Sequence, residues 1–163
     1  MTELDDAYTD YQALLIAAEG AHLATLGESG DPQASYAPCV WHDGDCYLFL
    51  SALSGHTGNL MRDSRISLML LEDAGTAPNP FARKRISLRG KADTVAREEE
   101  RCAAVLAEFR RRFGEIVQLL ESLPDFTLFR IRLESGSFVR GFGQAYQLEG
   151  AKLDRLRHLD PRK

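Results

Sequence analysis

Over residues 20–95 the apolar residues come in short bursts divided by turn formers, with no regular alternation of strand and helix patterns. Residues 22–26 (HLATL) suit a strand and run into the turn Glu28-Ser29-Gly30-Asp31-Pro32. Residues 34–41 and 46–51 (CYLFLS) flank His42-Asp43-Gly44-Asp45, and two strands around a short Asp/Gly turn read as a hairpin. Residues 65–71 and 85–95 supply two more strands, divided by the Pro-rich Ala77-Pro78-Asn79-Pro80. Residues 125–133 and 137–148 complete six or seven. Strands at this spacing, without βαβ order, predict a closed antiparallel barrel and not a doubly wound parallel sheet.

Three segments have a helical period instead. Over residues 4–19, Leu4, Ala7, Tyr8, Tyr11, Leu14, Leu15 and Ala18 make one face, with Gly20 as the stop. Over residues 97–123, Cys102, Val105, Leu106, Phe109 and Phe113 form one stripe and Ile116, Leu119, Leu120 and Leu123 a second, with Gly114 a point of breaking or bending. The acidic start (Glu98, Glu99, Glu100) and Arg110, Arg111 and Arg112 match the helix dipole and read as a solvated face. Residues 151–159 are expected to form a short terminal helix. The 163 residues are read as one domain, mainly β with α (α+β), its helices flanking the barrel.

Hydrophobic content of 44% beside 27% charged residues belongs to a folded chain, and a net charge of -4 argues against nucleic-acid partners. Cys39, Cys46 and Cys102 have neither disulfide spacing nor the close histidine pairs of a zinc site, so no metal is expected. The acidic, polar start is unlike a signal peptide, and no apolar run reaches membrane-spanning length. The expectation is a cytoplasmic protein with no membrane partner.

Two segments could carry chemistry. In Ser51-Ala52-Leu53-Ser54-Gly55-His56-Thr57-Gly58-Asn59-Leu60 a strand runs into hydroxyls, glycines, a histidine and an asparagine, then a helix turn. Backbone N–H groups freed by glycine, hydroxyl donors and a helix N-terminus together suit an anion; the plain alternative is a turn with Thr57 as helix cap. In Phe81-Ala82-Arg83-Lys84-Arg85-Ile86-Ser87-Leu88-Arg89-Gly90, strand alternation puts Lys84, Ile86 and Leu88 on one face and Arg83, Arg85, Ser87 and Arg89 on the other. An arginine row fits phosphate or carboxylate, or else blunts a solvated edge strand. Trp41-His42 reads as packing plus turn, and Phe138, Phe142 and Tyr146 as core or interface. No nucleophile elbow, phosphate-binding lysine loop or metalloprotease helix is present.

Taken in order, Ala24-Thr25-Leu26, Ala34-Ser35-Tyr36-Ala37-Pro38, the 51–60 loop, Phe81-Ala82-Arg83-Lys84-Arg85 and Phe138-Val139-Arg140-Gly141-Phe142-Gly143-Gln144-Ala145-Tyr146 resemble the pyridoxamine 5'-phosphate oxidase-like FMN-binding split-barrel superfamily. Within it the pattern is most similar to the haem-utilisation (HugZ/HutZ-like) branch. The resemblance implies a homodimer of split barrels with cofactor sites at the interface. For a flavin it assigns the ring to Ser35, Tyr36 and Ala37, and the phosphate to Ser51, Ser54, Gly55, His56, Thr57 and Asn59 with Lys84 and Arg85. The oxidases carry an Arg-Lys pair where this chain has Gly55-His56. For haem it assigns an axial histidine in the C-terminal segment, here His158, supported by an acid at Asp125.

Three functional expectations follow. The first is a flavoprotein oxidoreductase holding FMN, with no catalytic side chain because the cofactor supplies the chemistry. The alternative is a haem-binding protein of haem utilisation or degradation, with His158 or His56 on the iron. The third is a cofactor-free interaction module on the same scaffold.

Overall fold

The computed structural model describes residues 2–160. Helix α1 (Glu3–Ala17) opens on a capping box, in which Thr2 Oγ1 accepts the Asp5 N–H at 3.2 Å and the Asp5 carboxylate accepts the Thr2 N–H at 2.8 Å. Its Ala7, Tyr11 and Leu14 face inward, as their spacing predicts. Strands β1 (Gly20–Leu26), β2 (Pro32–His42) and β3 (Asp45–Ser51) follow as a meander. The β2–β3 turn places Asp43 and Gly44 at φ 51° and 84°, the two left-handed residues that a tight hairpin requires.

Helix α2 (Gly55–Arg62) and strands β4 (Arg65–Leu71) and β5 (Arg85–Val95) come next, with a 3-10 turn at Pro80–Ala82. Helices α3 (Glu100–Phe113) and α4 (Ile116–Ser122) precede β6 (Phe126–Gly141), β7 (Gln144–Glu149) and β8 (Arg155–His158). The sheet order is β3-β2-β1-β4-β5-β6-β7-β8, and β3 also pairs with β6. Strands β1 to β6 therefore close into an antiparallel barrel, with β7 and β8 as an extension. The fold is mainly β with flanking helices, as the strand spacing led us to expect.

At 16 residues, β6 is long enough to serve three neighbours. Its first part meets β3 (Phe126↔Ser51 to Ile131↔Cys46), its later part meets β7, and β5 runs along nearly all of it. The β5–β6 register shifts between Arg89 and Gly90, where a Cβ on Gly90 would stand 2.2 Å from the Arg132 carbonyl oxygen. Backbone approaches so closely there that only glycine fits.

Alternation fills the barrel: Leu23, Leu48, Leu68, Leu70, Ile86, Leu88, Ile131 and Phe138 are all buried in one cluster. A second cluster lies under α3 and α4, where Val105, Leu106, Phe109 and Val117 pack on Val40, Tyr47, Phe49 and Leu128.

Three expected boundaries are corrected. The helix expected over 97–123 is two, because Gly114 takes φ 83° and ends α3. The strands expected at 125–133 and 137–148 are redivided, with β6 continuous through Ser137 and the turn falling at Phe142-Gly143. The segment expected to be a terminal helix over 151–159 instead adds β8 to the sheet edge, Tyr146 opposite His158 and Leu148 opposite Leu156. Among the described residues, no helix is long and apolar enough to cross a membrane.

Candidate functional site

The 51–60 segment bridges the barrel end. Asn59 is buried in α2, and its amide nitrogen donates to Thr25 Oγ1 on β1 at 3.0 Å and to Gln33 Oε1 on β2 at 2.8 Å. Its amide oxygen accepts from Arg62 at 2.8 Å. Thr57, also buried, donates its hydroxyl to the Ser51 carbonyl at 2.5 Å. Thr57 is not the cap of this helix: Ser54 holds that position and makes no side-chain capping bond. Asn59 and Thr57 thus satisfy buried polar groups and pin α2 to the barrel.

What remains around the loop is a short polar row. Ser51 Oγ donates to Asp125 Oδ2 at 2.7 Å and accepts the Leu53 N–H at 3.1 Å, while the Ala52 N–H donates to the Asp125 carbonyl at 2.8 Å. These bonds fix the strand end, its loop and the residue before β6 as one unit. Three positions further on, His56 Nδ1 lies 2.9 Å from Ser35 Oγ on β2. Burial lowers the His56 pKa below the ordinary histidine value, so the ring is neutral at neutral pH. Its Nε2 makes no hydrogen bond within the described residues.

Strand alternation separates the three β2 candidates. Ala37 is buried in the barrel core, whereas Tyr36 is exposed on the other face, over Gly20 and edge-on to His22 at 5.9 Å between ring centres. Of the three, only Ser35 meets the loop.

The basic pair lies elsewhere. Arg85 is paired with Leu71, at the end of β4 remote from α2, which leads into β4 at Arg65. Lys84 Nζ stands 3.1 Å from Asp10 Oδ2, and Arg140 Nε donates to the same oxygen at 2.6 Å. Burial pushes the Asp10 carboxyl up, but the hydrogen bonds and charges of Arg140 and Lys84 outweigh it and hold the pKa below the usual carboxylate value. The Arg85 guanidinium donates to the Arg83 carbonyl at 3.0 Å. Within one chain, Lys84 and Arg85 do not join the loop.

Neither does His158 meet Asp125. His158 sits on β8 against the Tyr146 ring, 5.2 Å between centroids, and its Nε2 lies 3.1 Å from the Gly143 carbonyl oxygen. Tyr146 is paired with Phe138, far along β6 from Asp125, which just precedes that strand: roughly 40 Å at the rise of an extended chain. The described residues contain no cluster of three metal-ligating side chains.

Sequence reasoning missed the partners: Thr25, Gln33 and Arg62 around Asn59, and Asp10 beneath Lys84. Thr25 left a faint signal as the hydroxyl on the inward side of an alternating strand. The other contacts depend on segments far apart in the chain.

The closed barrel of β1 to β6, with its loop-to-β2 junction, defines a split-barrel protein. The chain belongs to the pyridoxamine 5'-phosphate oxidase family, whose sequence model matches residues 9–140. It is 41% identical over 138 residues to the heme oxygenase HutZ of Vibrio cholerae serotype O1, covering 85% of this chain and 78% of that protein. The crystal structure of HutZ, the heme storage protein from Vibrio cholerae, superposes with a TM-score of 0.74 at 34% identity, covering 77% of this chain and 89% of the other. Campylobacter jejuni ChuZ superposes with a TM-score of 0.88 at 29% identity, covering all of this chain (100%) and 68% of its own.

These relatives overturn the first functional expectation. The relative at 41% identity is a heme oxygenase, and the superposed HutZ is a heme storage protein. The haem alternative is the better reading.

Proposed function

We propose that this chain binds haem as a homodimer and serves in haem handling in the cytoplasm. The observation that carries this reading is the 41% identity to heme oxygenase HutZ, which runs over 85% of the chain. Bound haem would supply the iron at which dioxygen could react, or would itself be the stored cargo.

The loop junction supports the fit. An iron-ligating histidine characteristically gives its other ring N–H to an acceptor, which fixes the tautomer and orientation. His56 meets that description, with Nδ1 against the Ser35 hydroxyl, Nε2 unengaged and the ring neutral. Ser51 orients the Asp125 carboxylate through Oδ2, and Oδ1 accepts no hydrogen bond within the described residues. It is therefore able to accept a hydrogen bond from the ring N–H of an axial histidine or from a propionate-bound water. His158 is the rival ligand and meets the same description, its Nε2–H donating to the Gly143 carbonyl and its Nδ1 making no hydrogen bond within the described residues. A second chain would supply the wall that one barrel end lacks, which is why the proposal includes the dimer.

The test is a hemin titration followed in the Soret region, with mass by light scattering at each point. The expected result is a saturable Soret band on a dimer. The band should be displaced or lost in His56→Ala and retained in His158→Ala. Retention in His56→Ala with loss in His158→Ala would move the ligand to β8. No band, with no change in thermal stability, would overturn haem binding, because a native-state ligand must stabilise the fold. Adding ascorbate in air then separates breakdown, seen as loss of the band, from storage.

A further inference from the structure

A second cavity lies away from the loop and its histidine. It has a volume of about 600 Å³ and opens between the later half of α1, α3, the β2–β3 turn and residues 152–154. That volume is within the range of sites that enclose small organic ligands. Its apolar wall is built by Leu15, Val40, Leu133 and Leu153. The Tyr11 hydroxyl donates to the Leu153 carbonyl at 3.1 Å and ties the far lip to α1.

Two features of the wall ask for an acceptor. Trp41 lines the cavity, and its indole nitrogen is buried without a hydrogen-bond partner. A buried N–H left unpaired is a standing cost to the fold. The charged groups at the rim are three cations, Arg111, Arg112 and Lys152, against two carboxylates, Glu108 and Asp154. Arg111 is spent on Glu108, and Arg112 donates to the Ile16, Ala17 and Ala18 carbonyls that end α1. Lys152 is exposed and engages no carboxylate among the described residues.

We propose that this cleft binds a small, planar, monoanionic organic molecule, its apolar body against Leu15, Val40 and Leu133 and its acidic group toward Lys152. The site is separate from the proposed haem junction and stands whether or not haem binds.

Trp41 is the single tryptophan of the chain and lines this cleft, so it serves as the energy donor to a dye bound there. The probe is 8-anilinonaphthalene-1-sulfonate, an anionic aromatic dye, beside the uncharged N-phenyl-1-naphthylamine. The expected result is saturable binding of one dye per chain with energy transfer from Trp41. Lys152→Glu should weaken the anionic dye by about tenfold or more while leaving the neutral dye unchanged. Leu15→Phe, which narrows the cleft, should weaken both. Equal affinity of the anionic dye for Lys152→Glu and the native chain would overturn the proposal. So would absence of energy transfer, or displacement of the dye by one equivalent of hemin, which would place it in the haem site.

Discussion

The amide nitrogen of Asn59 lies 3.0 Å from the hydroxyl of Thr25, and both side chains are almost wholly buried, at 3% and 2% exposure. A short helix that carries a proposed ligand is therefore anchored from beneath by an internal polar contact. Asn59→Ala removes this bond and the one to Gln33 and leaves Thr25 unpaired. The expected cost is about 2–3 kcal/mol of unfolding free energy, read from urea denaturation. Hemin affinity should fall with it, because His56 stands on the same helix.

His56 sets a pH dependence. Burial lowers its folded pKa below the unfolded value of 6.5, so the unfolded chain binds the proton more readily. Its contribution to stability is thus fully present above pH 6.5 and is lost as pH falls through the folded value. Thermal midpoints of the native protein should decline below pH 6.5 more steeply than those of His56→Gln. Parallel curves would assign the decline to other groups.

Asp10 latches α1 onto the barrel through Lys84 and Arg140, both at its Oδ2. Asp10→Asn leaves two partly buried cations without their counter-charge and should cost about 2 kcal/mol. The Asp10 pKa is held below the ordinary carboxylate value, so the latch acts above about pH 4 and is released as pH falls further. Hydrogen exchange of the α1 amides is the measurement, with protection relative to the intrinsic rate lower in the variant and in acid.

Gly90→Ala places a methyl 2.2 Å from the Arg132 carbonyl oxygen, with backbone on the opposing side. Neither strand can yield without breaking the β5–β6 ladder, so a loss of about 3 kcal/mol or more is expected, seen as a lowered denaturation midpoint. Gly30→Ala, at φ 80° in an open turn, meets no neighbour within 4 Å and should cost far less.

The barrel was legible because inward positions alternate so regularly: Ile86 and Leu88 are buried while Ser87 and Arg89 face out. Strand β8 was not, since four residues with one inward side chain, Leu156, fit either period. Gly114 was legible as a break or a bend, and its positive φ, which decides for the break, is a conformational fact beyond composition. Near the loop, Ser51 and His56 stood out by residue type, whereas Ser35 and Asp125 came into view only through the family resemblance. Thr57 and Asn59 were assigned to a ligand although the fold itself uses them. Nothing local distinguishes a hydroxyl that binds outward from one that donates to a buried carbonyl.

The reach of β6 has a consequence for how the chain is made. The barrel is sealed by the β3–β6 pairing, which joins Ser51 to Phe126 and Cys46 to Ile131. The first five strands emerge from the ribosome as a curved sheet with two open edges, and the seam is joined only once residues 126–131 have followed. Such distant pairing pays its loop entropy before any reward, so closure is the slow and exposed moment of synthesis. The amphipathic pair α3–α4, arriving just ahead of the seam, can shield the β2–β3 face while it waits.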